Sequence, residues 1–215
     1  MTELSAHEVL TTTRTVRRRL DLDRPVDLDL IRQALSTALQ APSGSNAQRW
    51  HFLVITDADQ RAAIGEYYRR AAEAYFQTAE SAGNQPHEDP NRQRTQQRVR
   101  NSSEHLAQNM GRVPVLVIPA IETPNVTELP AGNQSGLWGS ILPAAWSYML
   151  AARNLGLAAA WTTLHLKYER EVAELLGLPP TVHQAALIPT AHHTGDGFKP
   201  APRQPLDEVL HLNRW

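Results

Sequence analysis

A domain that alternates amphipathic helices with short apolar strands is what this sequence predicts, and three observations carry the prediction. Apolar residues recur at helical spacing over 28–39 (Leu28, Ile31, Leu35, Ala38, Leu39), the pattern of a helix with one buried face. The runs at 52–55 (Phe-Leu-Val-Ile) and 113–119 are continuous apolar stretches of strand length, which read as buried strands. Residues 137–155 are apolar nearly all round, so a helix there has no wet face and must be central or shared with a second subunit.

Along the chain, residues 5–12 read as a short helix. Pro25-Val26-Asp27 opens the helix at 28–39, with Asp27 as its N-cap. Asp57 caps a helix at 58–79 whose apolar side is Ile64, Tyr67, Tyr68, Ala71 and Tyr75. Composition then changes: 81–90 reads as loop and 92–108 as a polar, basic helix with few core residues. Segment 77–108 is therefore a helical excursion or a lid over a site. Pro114 and Pro119 fall near the ends of the strand at 113–119, where a missing N–H costs least. Residues 124–136 read as loop, Gly156 ends the helix at 137–155, and strands follow at 157–163 and 184–189 around a short helix at 169–176. The proline-rich stretch from His192 to the C-terminus has little means of packing on its own domain, which makes docking on a partner the simpler idea.

The 215 residues fit one domain, 1–215, long enough to bury a core. A net charge of −1 gives no global field toward nucleic acid or acidic membranes. Absent cysteine excludes disulfides, thiolate metal sites and Cys nucleophiles. Met1-Thr2-Glu3-Leu4-Ser5 has no basic and apolar leader pattern, and no apolar stretch reaches a membrane span. The expectation is a cytoplasmic protein without nucleic-acid or membrane partners. The nine histidines are dispersed, so no metal site is expected. Acyl-transfer, zinc-protease, Walker and dinucleotide motifs are all missing. Lysine occurs only at Lys167 and Lys199, so positive charge comes almost entirely as planar guanidinium forks.

Two segments could hold a ligand. The connection at 41–50 (Ala-Pro-Ser-Gly-Ser-Asn-Ala-Gln-Arg-Trp) is longer than a helix-to-strand link needs and is rich in backbone N–H groups and side-chain amides. Such a loop suits a planar heteroaromatic ring, although an ordinary turn satisfying its own backbone has the same composition. Thr13-Arg14-Thr15-Val16-Arg17-Arg18-Arg19 places four arginines within six residues. It is either a solvated face or a phosphate grip of hydroxyls and guanidinium groups.

Taken in order, Thr13-Arg14-Thr15-Val16-Arg17, the loop at 41–50, the Gly-Leu-x-x-x-Trp-Thr-Thr stretch at 156–163 and Arg203-Gln204-Pro205-Leu206 resemble the flavin-dependent nitroreductase family. The resemblance runs from about residue 9 to the C-terminus. It implies an α+β, three-layer fold with a mixed, mainly antiparallel sheet flanked by helices. It also implies an intertwined homodimer with FMN at each subunit interface. By matched position, Arg14 and Thr15 would lie near the phosphate and Arg17 near the flavin ring. Pro42, Ser43, Gly44 and Asn46 would come from the partner subunit and line the ring. Thr162 and Thr163 would lie near its reactive side, and Arg203 on the phosphate. Arg18 and Arg19 have no matched role and are expected to be silent. The chain departs from the family at Thr13, where a second arginine is common, and at Trp146-Ser147, where Gln-Asn is common.

The implied activity is hydride transfer from NADPH or NADH through FMN, by a ping-pong mechanism, to a small electron-poor acceptor such as a nitroaromatic or quinone. No dedicated catalytic side chain is expected, because the chemistry belongs to the cofactor and the protein supplies orientation and electrostatics. His165 is a proton-donor candidate set against a plain packing role. A dehydrogenase or oxidase making a double bond in a biosynthetic intermediate, and a flavin-binding protein without turnover, are the alternatives.

Overall fold

The computed structural model describes residues 4–123 and 131–215. Helix α1 (Ala6–Thr12) starts at a reciprocal cap: Ser5 Oγ accepts from the Glu8 N–H (3.2 Å) and the Glu8 carboxylate accepts from the Ser5 N–H (2.9 Å). Asp27 caps α2 (Leu28–Ala38) and Asp57 caps α3 (Ala58–Phe76), each accepting a first-turn N–H. Asp89 caps α4 (Pro90–Asn109), whose first helical residue is a proline, placed where its missing N–H has no role.

Five strands form one sheet: β1 (Trp50–Ile55), β2 (Val115–Glu122), β3 (Leu157–Ala159), β4 (Val182–Gln184) and β5 (Ile188–His192). The order is β1-β2-β5-β3, with β4 also pairing β2, and every pairing among the described strands is antiparallel. Strand β2 is buried from Val115 to Ile121, and its two-residue period sorts its side chains onto opposite faces. Leu116 and Ile118 join Ile64, Tyr68, Leu106 and Met110 from the α3 and α4 side. Val115 and Val117 join Ile31, Ala34, Ala145 and Tyr148 from α2 and α5 (Ala131–Asn154). The result is the expected sandwich of helix, sheet and helix. Gly65 of α3 lies against Gly111, just beyond α4, so closely that a Cβ on Gly65 would stand 2.6 Å from the Gly111 nitrogen.

Four expectations need correction. Pro119 lies inside β2, not at its end. It sits where β2 changes partner from β5 (115–117) to β4 (120–122), so the sheet has a break to accommodate the missing N–H. The strand read at 184–189 is two strands, because 185–187 step across that same break. The strand read at 157–163 keeps ladder pairing only over Leu157–Ala159, then makes an isolated bridge from Thr162 to Leu187 and a 3₁₀ turn over Leu164–Tyr168. Helix α5 begins at Ala131, so 131–136 are helical although read as loop; 124–130 lie outside the described residues. Gly132 and Gly136 suggested a loop, yet glycine costs a helix only about 1 kcal/mol each. Gly156, at φ 81°, ends α5 as expected. Gly177 is the left-handed cap of α6 (Glu169–Leu176).

Helix α5 buries one face (Ile141, Ala144, Ala145, Tyr148, Met149, Ala152), and Tyr148 hydrogen-bonds Thr190 at 2.9 Å. Its other face is apolar yet open, with Trp146 39% exposed. Among the described residues no helix is long and apolar enough to cross a membrane.

Candidate functional site

The basic segment leaves α1 in extended form and is laid against the end of β3, where the Val16 N–H donates to the Ala159 carbonyl (2.9 Å). Val16 and Leu20 face the core, which leaves Arg14, Thr15 and Arg17 to line the surface between them. Thr15 Oγ1 accepts the Trp161 N–H at 3.4 Å, so the basic segment and the Trp161-Thr162-Thr163 stretch meet directly.

Two cavities share Arg17 in their walls. One, of about 240 Å³, is lined by Arg14, Thr15, Arg17, Arg18, Ser102 and Phe198, among others. The second, of about 290 Å³, runs from Arg17 past Tyr68, Phe76 and Arg100 to Trp161, Thr162 and Thr163. Among the described residues neither has an Asp or Glu in its wall.

Arg17 is half-buried, and desolvation holds its pKa below the ordinary arginine value. Its guanidinium reaches Ser102 Oγ on α4 (3.4 Å), and among the described residues no carboxylate pairs with it. A charge withdrawn from water without a counter-charge is costly, and an anionic or acceptor-rich ligand beside it would relieve that cost. Burial pushes the Tyr68 hydroxyl up to about 12, so it stays protonated beside Thr162 and Arg17. Thr162 is buried, and its Oγ1 donates to the Leu187 carbonyl (2.8 Å), fixing the segment to the sheet. Thr163 is exposed at the cavity wall.

The loop that carries Pro42, Ser43, Gly44 and Asn46 lies elsewhere. Ser43 and Gly44 line a cavity of about 400 Å³ with Arg49, Ile121, Leu137 and Ser140, and it shares no lining residue with the two cavities around Arg17. Pro42 lines a further, mostly apolar groove with Leu10, Leu150 and Leu155. The loop holds Ser45, Asn46 and Gln48 at φ values of 54°, 52° and 50°. Non-glycine residues pay roughly 1–2 kcal/mol in this left-handed region, and such strain collects at binding sites. It is maintained by bonds from the Gln48 N–H to Ser43 Oγ (2.9 Å), from Gln48 Nε2 to Asn46 Oδ1 (3.0 Å), and from the Gly44 N–H to Ser140 Oγ (2.9 Å).

Arg203 is exposed in the tail and donates to the carbonyl of its neighbour Pro202 (3.1 Å). Arg14 donates to the Lys199 carbonyl (3.1 Å), which ties the root of that tail to the basic segment. Arg19 is not the idle cation expected: it donates to the carbonyls of Thr194 (2.7 Å), Gly197 (3.3 Å) and Asp196, and lies 4.4 Å over the Phe198 ring. His165 is fully buried beside Gln184, and burial pushes it down to about 3 against the smaller, opposing effect of that neighbour. It is neutral at ordinary pH and is not among the residues lining either cavity, which favours the packing role.

Tyr68, Arg100 and Ser102 are the wall residues that sequence reasoning missed. Tyr68 carried a core signal, on the apolar side of its helix. Arg100 and Ser102 sat in a polar helix whose only hint was its excess of basic residues over core residues.

Solved structures with this fold include the oxidized iodotyrosine deiodinase bound to FMN and 3-iodo-L-tyrosine, with a TM-score of 0.72 at 20% identity over 97% of this chain and 99% of that one. A BluB-like flavoprotein from Clostridium difficile 630 matches with a TM-score of 0.70 at 18% identity, over 98% and 100% of the two chains. A variant of the FMN and NADPH-dependent nitroreductase NfnB from Sphigopyxis sp. strain HMH matches with a TM-score of 0.70 at 23% identity, over 99% and 100%. At these identities the likeness establishes the fold. No curated protein matches the sequence. The family model described as Nitroreductase matches residues 10–192, a span that takes in the basic segment, the strained loop and the Trp161-Thr162-Thr163 stretch, and this chain belongs to the Nitroreductase family.

Proposed function

We propose that this chain is an FMN-dependent oxidoreductase, taking hydride from NADPH or NADH and passing electrons to nitroaromatic, quinone or similar electron-poor acceptors in a ping-pong cycle. The observation that carries this reading is the meeting of Arg14, Thr15 and Arg17 with Trp161, Thr162 and Thr163 around two cavities whose walls contain cations and hydroxyls and, among the described residues, no carboxylate. That donor set fits FMN, which needs a cationic, hydroxyl-rich end for its phosphate and a partly desolvated cation beside its ring.

FMN, when bound, supplies two-electron chemistry at N5. The polypeptide does the rest. Arg14 and Thr15 bind the phosphate, and Arg203 reaches it from the tail. Arg17 favours negative charge on the ring by a fixed electrostatic interaction that needs no reorganisation. Thr162 anchors the segment that carries Thr163 to the reactive side. Helix α4, which puts Ser102 and Arg100 into the walls, covers the site as part of the lid at 77–108.

Pro42, Ser43, Gly44 and Asn46 serve the site of a second copy of this chain. Two features support a homodimer. The loop lines a cavity that shares no lining residue with the two cavities around Arg17 of the same chain. Apolar side chains that one chain leaves open are numerous: Trp146 on α5, then Leu206, Val209, Leu210, Leu212 and Trp215 in the tail, the last 99% exposed.

Anaerobic mixing of the FMN-loaded protein with NADPH and with NADH tests the reading. Rapid bleaching of the flavin absorbance, restored by an added nitroaromatic or quinone, is expected. Bleaching by neither nicotinamide would overturn the reductase assignment, and bleaching only by an organic metabolite would turn it into a dehydrogenase.

A further inference from the structure

The wall of the 290 Å³ cavity carries more information than the cofactor needs. Tyr68, Phe76 and Trp161 line it with aromatic side chains, and two arginines, Arg17 and Arg100, line the same space. Arg17 is already assigned to the cofactor ring. Arg100 is left, on the α4 side.

Arg100 is not a loose surface arginine. Its side chain is only 18% exposed. Nε donates to Glu104 Oε1 (2.6 Å), Nη1 donates to Asn84 Oδ1 (2.8 Å), and the guanidinium carbon stands 4.9 Å over the Phe76 ring. The turn at Gly83, with φ +88°, packs against its stem closely enough that a Cβ there would lie 3.1 Å from the Arg100 Cβ. Held on several sides, the guanidinium has lost most of its rotamer freedom before any ligand arrives. Its Nη2, with two N–H donors, has no protein partner among the described residues. Glu104 balances the Arg100 charge from outside the cavity wall, which leaves the guanidinium edge, and among the described residues no carboxylate, facing the space.

We infer that the acceptor of this site is an aromatic or quinoid compound bearing a carboxylate or a similar anionic group, and that Arg100 is the residue that selects it. This rests on the oxidoreductase reading above. A planar acceptor in this aromatic-lined cavity places a ring substituent against the pre-oriented fork of Arg100, which suits a planar anion better than a lysine would. A charge-assisted hydrogen bond of this kind corresponds to a preference of about 10- to 100-fold over an uncharged isostere.

The test compares 4-nitrobenzoate with 4-nitrobenzamide as acceptors for the FMN-loaded full chain. In parallel, benzoate and benzamide, which are not reduced, are titrated against the bound-flavin absorbance to give Kd values. Expected is a preference of at least 10-fold for the carboxylate in KM and in Kd. Arg100→Gln should bring the ratio close to one, Arg100→Lys should restore part of it, and Glu104→Gln should preserve or raise it. Ratios between the two compounds cancel any general loss of activity in a variant. Equal KM and Kd values for carboxylate and amide in the unaltered protein would overturn the inference while leaving the reductase reading intact. A preference that survives in Arg100→Gln would also overturn it. Reduction of neither nitro compound would remove the reductase reading, and this inference with it.

Discussion

Replacing Arg19 with alanine is expected to destabilise the fold by about 1.5–2.5 kcal/mol, although the side chain lies on the surface and belongs to a basic run. The magnitude follows from its contacts. Arg19 donates to three carbonyls of the 194–197 turn and covers the Phe198 ring at 4.4 Å. Arg153 stands on that ring as well, at 5.0 Å. The turn can wrap the guanidinium because Gly195 adopts φ +72°, and a Cβ there would come within 3.4 Å of Arg19 Nη2. Solvent-accessible hydrogen bonds contribute near the low end of the ~0.5–1.5 kcal/mol range, and the cation–π contact adds roughly 0.5–1 kcal/mol. Part of the loss is offset, because water reaches the freed carbonyls and Arg153 is relieved of a like charge. Urea denaturation of Arg19→Ala beside Arg18→Ala is the assay. Arg18 is exposed, and its loss should change stability by less than about 0.5 kcal/mol. Equal, small effects at both positions would refute the argument that Arg19 clasps the root of the tail.

Four further outcomes are expected. Arg14→Ala and Arg203→Ala should each weaken FMN binding roughly 10- to 150-fold, about 1.5–3 kcal/mol, whereas Arg17→Ala should lower the flavin reduction potential more than it weakens binding; flavin titration and potentiometry on the three variants decide this. His165 should make the protein acid-sensitive: its folded pKa lies near 3, below its value in the unfolded chain, so stability held above about pH 6.5 drains away as pH falls toward 3, by up to ~1.4 kcal/mol per pH unit. Melting temperatures measured from pH 7 to pH 4 should fall more steeply for the protein than for His165→Gln, and parallel curves would remove the role given to His165. Gly65→Ala should cost about 1–3 kcal/mol by denaturant titration, since the added methyl meets the Gly111 backbone at 2.6 Å; an effect under 0.5 kcal/mol would show that α3 and the Gly111 turn can slide apart. Sedimentation at micromolar concentration should give a dimer, and a stable, folded, flavin-bound monomer would count against both the shared site and the role given to the open face of α5.

Much of the layered fold was legible in the sequence because the strongest signals are local. Asp27 and Asp57 mark helix starts through their own side chains, and Gly156 and Gly177 mark ends through a backbone angle that few other residues take. What misled was non-local. Pro119 reads as a strand end until the partner change along β2 is known, and the break that divides 182–192 into two strands is set by that same neighbour. At the site, Arg14, Thr15 and Arg17 stood out by charge and spacing. Arg100 and Ser102 did not, because a polar helix gives no sign of which side chains turn inward. Arg19 was misjudged for a related reason: its partners are backbone carbonyls some 175 residues away in sequence, and carbonyls leave no trace in a list of side chains. The loop at 41–50 drew attention by its length and composition, and it holds three left-handed non-glycine residues.

The central claim is that the cations and hydroxyls around Arg17 are a flavin site, and the most direct measurement is a titration of flavin-free protein with FMN, followed by visible absorbance and flavin fluorescence. A saturable, bound-flavin spectrum at a single equivalent of FMN per chain is expected, weakened at least 10-fold in Arg14→Ala. A flavin spectrum that stays that of free FMN throughout the titration would contradict it.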